Sequence, residues 1–220
     1  MSPYFERDGV SIYLGDCLAV MAELPEASLD AIVTDPPYGF GFMGREWDHG
    51  VPGRPFWEAA LRVAKPGSHL VAFGGTRTFH RLTCGIEDAG WEIRDCLSWL
   101  YGSGFPKSLD VAKAIDKAAG AKRDRIPHRG GIAPGSNNFG GAGVVNAGTR
   151  QVDEATTDAA RQWSGWGTAL KPAWEPIILA RKPLSGTVAA NVQAHGTGAL
   201  NIDGCRVAGA KAGGSGNRAS

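Results

Sequence analysis

Apolar and polar positions along this chain follow two alternating periods. Short apolar runs, several of them β-branched, occur at 31–34, 69–73 and 176–182, and 91–100 is a longer strand candidate. Each has the length of a strand, and most are bounded by turn residues. Between them lie stretches with apolar side chains three or four positions apart: Leu18, Met21 and Leu24, then Phe56 to Val63, then Phe79, Leu82 and Ile86. That spacing puts the apolar groups on one helix face. Strand alternating with helix predicts an α/β domain built on a doubly wound sheet. Ala31–Thr34 and His69–Phe73 read as buried strands, the second ending at Gly74-Gly75.

Turn and cap chemistry fills in the rest. Val10–Leu14 reads as a short strand, and Asp16 as the N-cap of the helix after it. Pro25 to Ser28 is turn chemistry, and Lys65-Pro66-Gly67 should stop the helix ending at Val63. Ser108 is placed to cap a helix over Leu109–Ala119, and a polar helix is expected over Glu154–Trp163. Pro176–Lys182 is the last core strand, with Trp174 and Glu175 before it read as structural. Residues 120–155 hold a Gly- and Asn-rich stretch with few large apolar groups, expected to be a flexible insertion. The last thirteen residues, 208–220, lack an apolar period and read as a disordered tail after a domain spanning 1–207.

Composition changes this picture little. The 220 residues are enough for one sizeable core, and 43% apolar with 20% charged is ordinary for a globular chain. A net charge of +1 neither demands nor excludes nucleic acid. The four cysteines have no CxxC spacing, so buried reduced thiols of a cytoplasmic protein are expected, with no metal site. No apolar run reaches membrane length, and no signal-peptide pattern opens the chain.

The candidate chemistry lies at Asp35-Pro36-Pro37-Tyr38. Asp35 stands where a strand ends, and two prolines forbid further pairing there. The result is a stiff shelf with a carboxylate, carbonyls that have no competing N–H, and an aromatic ring. Ligand sites in open α/β sheets lie outside the carboxyl ends of strands. Asp35 and the Pro36 carbonyl can accept the two hydrogens of an amino group on a planar ring, and Tyr38 can stack on that ring. A polar turn capping a strand is the plainer reading of the same residues.

Asp-Pro-Pro-Tyr also resembles the signature of amino-methylating DNA methyltransferases of the β class, phage type. Ile12 to Leu18, the segment Arg62 to Gly75, Trp99 to Ser108 and Gly198 to Arg206 resemble the same family. The resemblance implies a partial mixed sheet of the Rossmann-like, S-adenosylmethionine-dependent type, with a Gly-rich insertion serving target recognition. It implies methyl transfer from S-adenosylmethionine to N6 of adenine in double-stranded DNA, within a bacterium or phage-infected host and often in restriction-modification. Catalysis would fall to Asp35, Pro36, Pro37 and Tyr38, and cofactor contacts to Asp16 and Asp35. A locally basic stretch carrying Lys107, Lys113 and Lys117 would track DNA phosphates. The loop from Gly39 to Pro52, with Arg45, Trp47, Asp48 and His49, would close over the base.

The family's glycine-rich cofactor loop should follow an apolar strand and open a helix. Phe139-Gly-Gly-Ala-Gly143 matches its letters but not that context, and reads as a decoy. The chain therefore resembles the catalytic and target-recognition half, with the cofactor half missing or carried by a separate chain. Three alternatives stand beside adenine methylation. These are N4-cytosine methylation, a catalytically incomplete DNA-binding or partner-binding fragment, and a glutamine methyltransferase, whose cofactor loop would precede the shelf.

Overall fold

The computed structural model describes residues 2–41, 48–102, 108–123, 125–128, 150–170 and 173–207. The first element is a hairpin, β1 (Phe5–Arg7) with β2 (Val10–Ile12). Its two-residue turn has φ of 51° at Asp8 and 79° at Gly9, the pair of positive φ angles that Asp-Gly supplies in hairpins. This corrects the expected lone strand over Val10–Leu14. The Asp-Gly signal for the hairpin was present in the sequence.

Helix α1 (Cys17–Glu23) follows, its first turn capped by Asp16 Oδ1, which accepts from the Leu18 and Ala19 amides at 3.0 and 3.2 Å. The central sheet contains β3 (Leu29–Thr34), β4 (Ala64–Phe73), β5 (Glu92–Leu100) and β8 (Trp174–Arg181), in the order β3-β4-β8-β5. The β3–β4 pair is parallel, whereas β8 is antiparallel to both β4 and β5. The fold is α/β with a mixed four-stranded sheet, as the strand–helix alternation predicts.

Helices α2 (Arg54–Val63) and α3 (Phe79–Asp88) cover one face of the sheet. Leu70 and Ala72 of β4 and Ile178 and Ala180 of β8 point into that layer, against Trp57, Ala60, Leu82 and Ile86. Burying each of the larger aliphatic groups contributes about 1.5–3 kcal/mol. The two tryptophans are also satisfied as donors: Trp91 Nε1 donates to Trp57 O and Trp57 Nε1 to Pro52 O, both at 3.0 Å.

On the opposite face Ile177 and Leu179 of β8 are buried, each 7% exposed, but the flanking strands are open there. Val33 is 72% exposed and Trp99 57%. The expected buried strand at Ala31–Thr34 is thus corrected to an edge strand. Among the described residues it has one neighbour, β4, and only Ile32 of the pair Ile32 and Val33 packs against the core.

Helix α2 ends at Val63 as expected, and Lys65-Pro66-Gly67 belong to β4. Leu29 pairs with Ala64 and Ala31 with His69, so residues 65–68 bulge from the ladder. Gly67, at φ 78°, packs against Asn191 of α6 (Val188–His195). Asn191 is fully buried; its Nδ2 donates to Pro66 O at 2.9 Å and Thr197 O at 2.8 Å, and its Oδ1 accepts from Ser185 N at 2.8 Å. One amide thus ties the last helix to the bulge. Helix α6 has no counterpart in the sequence-based expectations, although Thr187 caps it and Gly196 ends it at φ 73°.

Between β5 and β8, α4 (Val111–Ala118) packs on α5 (Asp158–Gln162) through Ala112, Ile115, Ala155 and Ala160. Asp110 caps α4, accepting from Lys113 N at 2.9 Å. The cap expected from Ser108 is therefore corrected: its hydroxyl accepts from Thr168 N and Ala169 N at 3.1 and 3.2 Å. The helix expected over Glu154–Trp163 is shortened because Thr157 caps it, accepting from Ala160 N. Buried Asp116 joins the two helices. Burial raises its pKa, but bonds from Arg123, Thr156 and Thr157 outweigh this and hold the carboxyl below the ordinary range.

Within the stretch expected to be flexible, β6 (Arg125–His128) pairs antiparallel with β7 (Arg150–Asp153). The decoy Phe139–Gly143 and the tail 208–220 lie outside the described residues. The four cysteines are free and exposed, which corrects the expectation of buried thiols. Cys84, for instance, takes the outer side of α3, whose inner side is Leu82 and Ile86. No helix among the described residues is long and apolar enough to cross a membrane.

Asn191→Ala should remove three hydrogen bonds and leave the Ser185 amide and the Thr197 carbonyl short of partners, while the Pro66 carbonyl keeps the Thr197 hydroxyl. A loss of about 2–4 kcal/mol in urea unfolding is expected; a loss below about 0.5 kcal/mol would contradict the tie.

Candidate active site

The parallel strands β3 and β4 end side by side, and the chain after each forms one wall of a crevice. On the β3 side, Asp35 is exposed, Pro36 buried, and Pro37 and Tyr38 half-buried. On the β4 side, Gly74-Gly75 turns into α3. Thr78 at the start of that helix donates its hydroxyl to Tyr38 O at 2.6 Å, which joins the two walls.

The loop after Tyr38 is held by a residue thirteen positions beyond Asp35. Asp48, 3% exposed, accepts from Gly39 N through Oδ1 at 2.8 Å and from Phe40 N through Oδ2 at 3.2 Å. Its carbonyl accepts from Gly41 N at 2.8 Å. Gly39 has φ of 70° and lies against the backbone of Gly50, where a Cβ would be 3.0–3.1 Å away. Both its conformation and its surroundings therefore require glycine.

Phe40 folds back over Gly75, occupying the space that a Cβ there would need. The Arg77 guanidinium carbon stands 4.4 Å from the Phe40 ring centre, a cation–π contact worth about 0.5–1 kcal/mol at an exposed site. The Phe40 and Tyr38 rings meet edge to face, 5.9 Å apart at 83°.

The Tyr38 hydroxyl donates to Glu175 Oε2 at 3.3 Å, across 137 residues of sequence. Burial, followed by hydrogen bonding to Asp35 and the charges of Asp35 and Glu175, pushes the phenol well above its ordinary pKa. Tyr101, at the end of β5, is also raised, by burial first and then by the Glu175 carboxylate. Two phenols and two carboxylates therefore converge on the shelf.

Asp35, Pro36, Pro37 and Tyr38 thus share one crevice wall. Asp16 is placed at the head of α1, where its bonds are local caps. Lys113 and Lys117 are exposed on α4, one turn apart along a shallow groove with Leu109, Asp110 and Ala114. The main helix contact of α4 is with α5, so the structure does not bring these lysines against the shelf. Lys107, Arg45 and Trp47 lie outside the described residues. Sequence reasoning took Glu175 as structural, because its link to Tyr38 exists only in the fold. Asp48 carried no role of its own in the sequence, because its bonds to Gly39 and Phe40 span eight or nine residues. No group of three or more metal-ligating side chains occurs among the described residues.

No family model matches the chain. It is 25% identical over 236 residues to the type II methyltransferase M.HindIII of Haemophilus influenzae, covering 86% of this chain and 64% of that protein. It is 32% identical over 84 residues to the type II methyltransferase M.BamHI of Bacillus amyloliquefaciens, covering 33% and 19%. The chain is similar in sequence to type II methyltransferases. It spans under two-thirds of the length of these relatives. Among solved structures, the cytosine-N4-specific PvuII DNA methyltransferase aligns with a TM-score of 0.43 and 14% identity over 97% of this chain and 62% of that one. The M1.HpyAVI–SAM complex aligns with a TM-score of 0.38 and 14% identity over 78% and 52%.

Asp48→Ala should release the Gly39 and Phe40 amides together. We expect a loss of about 1–3 kcal/mol and new proteolytic cleavage between Tyr38 and Pro52. An unchanged cleavage pattern would show that the loop is held by other means.

Proposed function

We propose that this chain carries the catalytic shelf of a DNA methyltransferase that transfers a methyl group from S-adenosylmethionine to N6 of adenine. The observation that carries the reading is an exposed Asp35 at the end of β3, stiffened by Pro36-Pro37 and followed by a half-buried Tyr38. An amino nitrogen conjugated to a ring is a weak nucleophile. Accepting its two hydrogens at Asp35 and the Pro36 carbonyl draws the lone pair out of the ring plane. The same contacts stabilise the positive charge that develops on nitrogen. The base has to leave the duplex first, at a cost of about a few kcal/mol. Stacking on Tyr38 offsets roughly 1–3 kcal/mol of that.

Within this reading Asp16 and Asp35 would hold the cofactor. Both are exposed carboxylates suited to hydroxyl and ammonium donors. The turn after β4 is a strand–Gly-Gly–helix unit, but Phe40 fills the space beside Gly75. The cofactor supplies the methyl group when bound, and no step beyond that is derived through it. Within this reading the insertion at 120–155 serves target recognition, and Lys107, Lys113 and Lys117 contact DNA phosphates. Asp at the first shelf position resembles the adenine-type form, which favours N6 of adenine over N4 of cytosine.

Asp35→Ala should lower methyl transfer at about 1 mM cofactor by at least about 100-fold, while the melting temperature moves by less than about 2 °C. Residual activity combined with a large loss of stability would instead support a capping turn. Digestion of the methylated DNA to nucleosides should yield N6-methyladenine by mass spectrometry; N4-methylcytosine as the sole product would sink the base assignment. Titration calorimetry of the 220-residue chain with S-adenosylmethionine should show binding weaker than about 100 μM. Tight binding lost on mutating Gly141 and Gly143 would establish Phe139–Gly143 as a cofactor loop.

A further inference from the structure

We infer that Glu175 is a positioning residue for the shelf: it takes up the Tyr38 hydroxyl and so keeps the Asp35 carboxylate open to the amino group of the target base. This rests on the functional reading above. A phenol has one proton to donate, and the Tyr38 hydroxyl stands between two carboxylates, Asp35 and Glu175. A hydroxyl that turned to Asp35 would compete with the incoming amino hydrogens for the same oxygens. It would also swing the ring away from the stacking position. The direct hydrogen bond runs to Glu175 at 3.3 Å, while Asp35 acts on the same phenol more strongly, so removing Glu175 would leave the hydroxyl to Asp35.

Glu175 is well placed to hold that proton. It lies on β8, directly paired with Trp99 of β5 and next to the buried Pro176. It faces a second phenol, Tyr101, whose amide is fixed by Ala173 O at 2.9 Å. The carboxylate thus collects donors from the ends of two different strands, one of them at the shelf. Tyr38 is then held at three points: its carbonyl by Thr78, its ring edge by Phe40 and its hydroxyl by Glu175. A bond to a charged acceptor is stronger than one to a neutral amide, so glutamine should replace glutamate only in part.

The test uses the full chain with ring-labelled tyrosine, of which there are four, and compares four variants: Glu175→Ala, Glu175→Gln, Tyr38→Phe and the double Glu175→Ala/Tyr38→Phe. The ζ-carbon resonance of Tyr38, identified by its loss in Tyr38→Phe, should move in Glu175→Ala and move part-way in Glu175→Gln. In methyl transfer, Glu175→Ala should lower kcat about tenfold, the worth of one hydrogen bond to a charged group. KM for DNA should stay within about threefold, and Glu175→Gln should recover part of the loss. Once Tyr38 is Phe, no hydroxyl competes for Asp35, so adding Glu175→Ala should cost less than about threefold. Equal losses in both backgrounds, with a lowered melting temperature, would assign Glu175 to the fold alone and overturn the inference. An unmoved Tyr38 resonance overturns it whatever the transfer result. If the wild-type chain transfers no methyl group, the functional reading fails, and the resonance still decides whether Glu175 holds Tyr38.

Discussion

Two adjacent residues without an amide proton set the geometry on which the rest of the site depends. Pro36 and Pro37 cannot donate to a neighbouring strand, so β3 must stop at Thr34, and β4 goes on without it. The carboxylate of Asp35 is left at the end of the ladder, facing outward. A chain with ordinary residues there could extend the pairing and carry the carboxylate into the sheet. Proline also narrows the backbone angles of the residue before it, so the shelf is stiff before any side chain is placed.

Stiffness at the prolines would be lost one residue later without the support behind Tyr38. Asp48 turns three consecutive amides inward by accepting from Gly39, Phe40 and Gly41. Gly75 leaves room for Phe40, and Phe40 in turn borders Tyr38. These contacts come from three parts of the chain: the shelf loop, its return at Asp48, and the turn after β4. The parallel pairing of β3 and β4 brings them together, because it places both strand ends at the same edge of the sheet.

The sheet itself is unevenly covered. On the α2 and α3 side, Leu70, Ala72, Ile178 and Ala180 are almost completely shielded, while on the other side Ile177 and Leu179 are buried at the centre but Val33 and Trp99 on the flanking strands are largely exposed. The antiparallel strand β8 is the centre of this arrangement. It lies between β4 and β5, contributes Ile178 and Ala180 to the core, and carries Glu175 near its start, within reach of Tyr38. One strand therefore serves both the packing and the electrostatics of Tyr38.

The sequence by itself determined the elements with a strong period and the shelf. The 3.6-residue spacing of Phe79, Leu82 and Ile86 is enough to place α3, and the apolar run His69–Phe73 is enough to place the main part of β4. Asp35 to Tyr38 were legible because proline chemistry is local. What the tertiary structure decided was everything that depends on a neighbour. Burial of Ala31–Thr34 cannot be read from its composition, since a run of β-branched residues looks the same on an edge as in a centre. The cap of α4 fell to Asp110 because Ser108 found amides at Thr168 and Ala169, far along the chain. Glu175 showed no local signal at all. Its role comes from β8 running antiparallel to β4, which brings the start of a late strand to the end of an early one.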